Sequence, residues 1–118
     1  MRFMLMLYAH EPTGAKIPPE EMARFMGQMY AYSEALQKAG AFISTAGLAP
    51  SSSACTLRTQ EGELRVQDGP YADTREQFGG YFLIEAPDMD AARKWAARCP
   101  AATWGIVEVR PIVEHHKT

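Results

Sequence analysis

The chain has 118 residues, 47% of them apolar, with 12 basic and 14 acidic side chains and a formal net charge of -2. That length holds one domain, residues 1–118, whose core needs neither disulfides nor structural metal. With no block of like charge, the sequence argues against a nucleic-acid binder or a polybasic membrane surface, leaving small molecules or protein as partners. Cys55 and Cys99 have no CxxC spacing and no zinc pattern around them, which favours a reduced, cytoplasmic protein.

The first element is the apolar run Phe3 to Ala9, too short for a signal sequence and closed by Pro12, Gly14, Pro18 and Pro19. It is predicted as a central strand covered on both faces. No apolar stretch approaches the roughly 18 residues that cross a bilayer. From residue 19 to 39 the period becomes helical: Met22, Phe25, Met26, Met29 and Leu36 recur on one face, Glu20 and Glu21 occupy the first turn, and Gly40 follows the last apolar residue. The methionines of that face are predicted as plain core. Ala41 to Thr45 reads as a second strand, ended by Gly47, Pro50 and the serines 51–53. Thr56–Thr59 and Leu64–Gln67 flank Glu61-Gly62 as a hairpin, and their polar residues predict a place at a sheet edge.

Gly80 to Glu85 is the next strand, and Asp88 is placed to cap a helix with Met89, Ala92, Trp95, Ala96 and Cys99 on one face, stopped by Pro100. Ile106 to Ile112 is the last strand, with Pro111 predicted to leave the ladder at an edge. The order of elements gives an α+β class: a ferredoxin-like sandwich, an antiparallel sheet with two helices on one face and an extra β-hairpin. The other face of the sheet is left open, and Met4, Met6 and Leu83 on it predict a homodimer.

Strand alternation sends Tyr8, His10, Tyr81, Glu85, Glu108 and Arg110 to that open face. Histidine suits acid–base work near neutral pH, so His10 is a catalytic candidate, with Arg110 as an anion anchor. The plainer alternative pairs Glu108 with Arg110 at a subunit contact and leaves His10 to end an exposed strand. In the Asp68-Gly69-Pro70 turn, Asp68 is either a backbone-bonding turn residue or a second acid–base group, and Arg75 after it a carboxylate or phosphate clamp. Gly79-Gly80 reads as backbone crowding, without the form of a phosphate loop. The predicted site is then His10, Asp68, Tyr81 and Arg110, with Tyr8, Glu108 and Arg75 beside them, holding a small carboxylate or enol-type molecule. No cofactor is expected, and the His115-His116 pair lacks the spaced ligands of a native metal site.

A longer signature runs through these residues. Asp68-Gly69-Pro70-Tyr71-Ala72-Asp73-Thr74-Arg75-Glu76-Gln77 is followed by Gly79-Gly80-Tyr81-Phe82-Leu83-Ile84-Glu85-Ala86-Pro87-Asp88, by Trp95 to Ala102, and by Gly105 and Glu108 to Pro111. In order and spacing this resembles the bacterial YCII-related proteins of the DGPF type, over nearly the whole chain. The resemblance implies a ferredoxin-like fold whose sheets pair in a dimeric α+β barrel, and it implies no fixed chemistry. Some members of the family accompany extracytoplasmic-function sigma factors, so it also implies a regulatory protein partner as the alternative to a small polar or anionic ligand. A catalytically silent dimer is the third reading. The founding YCII branch carries a His and Asp pair with the His near the start of its first helix, whereas Pro18-Pro19-Glu20-Glu21-Met22 here holds none. Tyr71 replaces the Phe of the tetrapeptide, and Asp73 and Arg75 stand where Glu and Lys are commoner.

Overall fold

The structure, a computed structural model, describes residues 1–114, and the His115-His116 pair lies outside them. In chain order its elements are β1 (Arg2–Ala9), α1 (Glu11–Gly14), α2 (Pro19–Lys38), β2 (Phe42–Gly47), a 3-10 turn (Ser51–Ser53), β3 (Cys55–Gln60), β4 (Glu63–Asp68), β5 (Gln77–Glu85), α3 (Met89–Arg98), α4 (Ala101–Trp104) and β6 (Ile106–Pro111). Four strands form an antiparallel sheet in the order β2-β5-β1-β6, and β3-β4 form a separate two-stranded sheet. That order, with both long helices on one face, is the ferredoxin-like sandwich.

Alternation along the strands builds the core. Phe3 and Leu5 of β1 and Phe82 and Ile84 of β5 turn to the helices and are buried, against Tyr32 and Leu36 of α2, Ala92 and Ala96 of α3, and Cys99 at the C-cap of α3. The Tyr32 hydroxyl donates to the Trp95 carbonyl at 2.6 Å, tying the two long helices together across the core. Asp88 caps α3 as its sequence position requires, accepting from the Ala91 N–H at 2.8 Å. Gly105 leads from α4 into β6, where a Cβ would lie 2.0 Å from the Tyr8 carbonyl oxygen, so no other residue fits this close approach.

Three expectations change. β1 is central, but within one chain only its helix face is covered; Met4 and Met6 on the other face are half-buried. The hairpin does not join the edge of the main sheet. Its two-residue turn, with Glu61 at φ 51° and Gly62 at φ 79°, joins β3 to β4 at the tip of a separate arm. Short helices also stand where loops are expected: Pro12 starts α1 and Pro100 caps α4, each supplying a helical φ without needing the N–H that a first turn leaves unbonded.

Candidate functional site

Between α2 and the sheet lies a cavity of about 480 Å³. Glycine makes the room: Gly47 and Gly80 are paired in register next to Leu7, so the β2 and β5 half of this row has no side-chain cover, and Leu7 and Val107 supply it only on β1 and β6. Gly80 is also crowded, since a Cβ there would meet the Ala46 carbonyl oxygen at 2.8 Å. Over the gap, the first half of α2 presents Met22, Phe25, Met26 and Met29 to the cavity, while only Tyr32 and Leu36 in its second half are buried in the core. The α2 methionines therefore line a cavity instead of filling a core, although Met29 also packs against it. Tyr30 and Trp104, 68% and 43% exposed, mark where the space opens to solvent. The Trp104 ring meets Phe25 edge-on at 6.1 Å, and beyond that pair is a smaller cleft of about 300 Å³ with Glu21, Arg24 and Gln28.

His10 lines the cavity. It follows the last residue of β1 and is the N-cap of α1, so the alternation that assigns it to the open face has already ended. Its Nδ1 lies 2.7 Å from the Thr13 hydroxyl, one turn along α1, which leaves Nε2 for a ligand. A knot of hydrogen bonds anchors α1 from the next residue. The Glu11 N–H donates to Gln77 Oε1 at 2.9 Å, and the Glu11 carboxylate accepts from the Ser51 N–H at 2.7 Å and from the Ser51 hydroxyl. Those bonds hold the Glu11 carboxyl below the usual carboxylate range. The knot joins α1 to the start of β5 and to the segment that leads into the arm.

The other predicted residues stay apart from His10. Tyr8, Tyr81, Glu108 and Arg110 do share the open face, where Met6 has Tyr81 opposite it on one side and Glu108 on the other. Tyr8 borders the cavity, but its ring packs on Phe78 at 5.5 Å. Burial, and then the Glu108 carboxylate, raise the Tyr8 phenol above the ordinary tyrosine range, against the pull of Arg110. Arg110 cannot anchor an anion for His10: it stands opposite Met4, six positions back along β1, about 20 Å away at ~3.3 Å per residue. Its guanidinium is already paired with Glu108 of the same strand at 2.6 Å. Asp68 is exposed at the root of the arm opposite Cys55, and exposed Arg75 pairs with Glu76 at 3.5 Å. The structure thus separates His10 from Asp68, Tyr81 and Arg110 as cavity residues. The partners it supplies, Thr13, Ser33 and Thr45, carry a signal in the sequence only at Ser33, a polar residue on the helix face that otherwise reads as apolar.

Among the described residues no three His, Cys, Asp or Glu gather to hold a metal ion, and no helix is long and apolar enough to cross a membrane. Both cysteines are free thiols, Cys55 exposed and Cys99 buried. Residues 1–116 match the YCII-related domain. An uncharacterized protein of Rhizobium meliloti (strain 1021), R00369, is 34% identical over 114 residues, 95% of this chain and 92% of that protein. A solved structure of 5-chloro-2-hydroxyhydroquinone dehydrochlorinase (TftG) from Burkholderia phenoliruptrix AC1100, in complex with 2,5-dihydroxybenzoquinone, superposes with a TM-score of 0.51 at 16% identity, over 98% of this chain and 96% of that one. That likeness shows the fold, the one found in dimeric α+β barrels.

Proposed function

This chain belongs to the YCII-related family, and from that membership and the cavity we propose that it binds a small, largely apolar, ring-bearing molecule between α2 and the sheet, with His10 exchanging a proton with it. The observation that carries the reading is an apolar space of about 480 Å³ with one imidazole in its lining, oriented by Thr13. Its size falls within the ~300–1,000 Å³ of small-molecule sites, whose few polar groups fix a ligand's orientation. The lining includes no Arg or Lys, so a carboxylate entering it leaves its water without gaining a cation. A neutral ring bearing a hydroxyl suits the site better than the anion expected from Arg110. The neighbour's ligand, 2,5-dihydroxybenzoquinone, is likewise a small oxygenated ring. Nε2 of His10 takes the proton of the ring hydroxyl, leaving an enolate or phenolate beside the imidazolium, and the reverse step restores both.

The same reading includes a homodimer. Met4, Met6 and Leu83 give the open face an apolar load that a second sheet covers, closing two sheets into a barrel. The methionines make the site testable by NMR, because Met22, Met26 and Met29 line the cavity while Met4 and Met6 lie on the open face. Titrating 2-naphthol into the methyl-labelled protein should shift Met22, Met26 and Met29 and leave Met4 and Met6 in place. Benzoate, the anionic control, should shift neither set. Movement confined to Met4 and Met6 would return the site to the open face, and no movement at about 1 mM probe, where even a weak site fills, would overturn the reading.

A further inference from the structure

Among the described residues the arm is open on its apolar face, while Arg58 on the other face lies over the Tyr71 ring at 5.4 Å. β3 and β4 are exposed along nearly their whole length, and their register pairs Leu57 with Val66 and Thr59 with Leu64, which puts all three apolar side chains on one side of the arm. Leu57, Leu64 and Val66 are 58%, 62% and 60% exposed. The opposite side carries Arg58, Arg65, Gln60 and Glu63. An isolated two-stranded hairpin is marginal in water, and an apolar stripe on one side makes it more so. The bonds at its base, Gly69 N–H to the Ala54 carbonyl at 2.7 Å and the Thr56 hydroxyl to the Gly69 carbonyl at 2.8 Å, fix the root and leave the blade uncovered. The shape agrees: the radius of gyration is 16.5 Å, and the chain measures 50 × 49 × 18 Å. A compact chain of this length has a radius of gyration of about 13.5 Å.

We propose that the arm seats its Leu57, Leu64 and Val66 face on a second copy of the chain, as part of the sheet pairing proposed above, on which it rests. The area needed to hold a dimer favours this occupant. The open sheet face, four strands ~4.8 Å apart and about 25 Å long, offers roughly 500 Å² per copy. A stable dimer buries about 800 Å² per partner. One face of the arm is about 20 Å by ~10 Å, so giving one arm and receiving another adds roughly 400 Å² to each copy, which makes up the shortfall. The exchange is also self-complementary. Each copy covers one arm and has one covered, so a two-fold pair satisfies both arms and leaves no stripe to recruit a third chain.

The test uses the full chain and two measurements. In sedimentation equilibrium, L57S/V66S keeps the hairpin turn and removes most of the stripe; it should raise the dimer dissociation constant by about 30-fold or more, as loss of a buried interface anchor does. R58S/R65S, on the other side of the arm, should leave it unchanged. Hydrogen exchange of wild-type protein, which requires no variant to fold, should find the amides of residues 56–67 protected at dimeric concentrations and losing protection on dilution. An unchanged dissociation constant in L57S/V66S overturns the arm contact and leaves the sheet pairing standing. So do arm amides that exchange as a free peptide within the wild-type dimer, which would leave the stripe to a different protein. A wild-type chain that is monomeric at about 50 μM, a concentration at which obligate dimers persist, overturns the pairing itself.

Discussion

His10 acquires its place from its neighbours more than from its own strand. Two side chains decide where it stands: Thr13, 2.7 Å from Nδ1, and Glu11, whose carboxylate is held by Ser51. The Glu11 bonds make the junction sensitive to acid, and the direction follows from the depressed carboxyl. A group whose folded pKa lies below its unfolded value of about 4.3 stabilises the fold above that value, and loses the contribution as pH falls through the folded one. Glu11→Gln should therefore melt below wild type at pH 7, with the difference closing as pH falls through the depressed folded value and the wild-type carboxyl takes up its proton. Melting curves across that range check it. A difference that persists unchanged at low pH would assign the acid sensitivity to another group, such as Glu85, whose carboxylate pairs with the N-terminal amine at 2.7 Å.

At the scale of elements, α3 shows most clearly how a sequence period becomes a buried face. Ala92, Ala96 and Cys99 are buried, and half-buried Trp95 joins them, its ring 6.1 Å from Tyr32 and under the Arg98 guanidinium at 4.4 Å. Trp95→Ala should cost about 3 kcal/mol, the low end for removing a large aromatic, because part of the indole is already wet. Urea unfolding midpoints measure this, and an unchanged midpoint would mean that Trp95 adds nothing to the packing of α2 on α3. The strands and long helices were legible because each repeats its period over six or more residues. α1 and α4 were not, since a four-residue helix shows no period and its prolines read as loop. The cavity was hidden for a different reason. Met22, Met26 and Met29 have the spacing of a core face whether or not the sheet fills the space beneath them, and what decides is the pairing of Gly47 with Gly80, from strands far apart in sequence. His10 is legible as a residue type but not in its direction, because the period-two alternation ends with β1, one residue before it.

For the whole molecule, Glu11 matters as a shared joint. Its backbone N–H meets Gln77 at the start of β5, its carboxylate meets Ser51 before the arm, and the residue preceding it is His10 at the cavity. These bonds connect the segment before the arm, the start of β5 and the wall of the cavity through one residue. Two equilibria that bias one joint are linked, and linkage is reciprocal: whatever factor ligand adds to subunit affinity, the second subunit returns to ligand affinity. Saturating 2-naphthol should tighten the dimer, and Glu11→Gln should reduce that effect while each binding event still occurs alone. Sedimentation of both proteins with and without the probe gives the factor directly, and equal dissociation constants in wild type would show that the two events are independent. If they are linked, the filling of an apolar space is reported as a change in how tightly the pair holds.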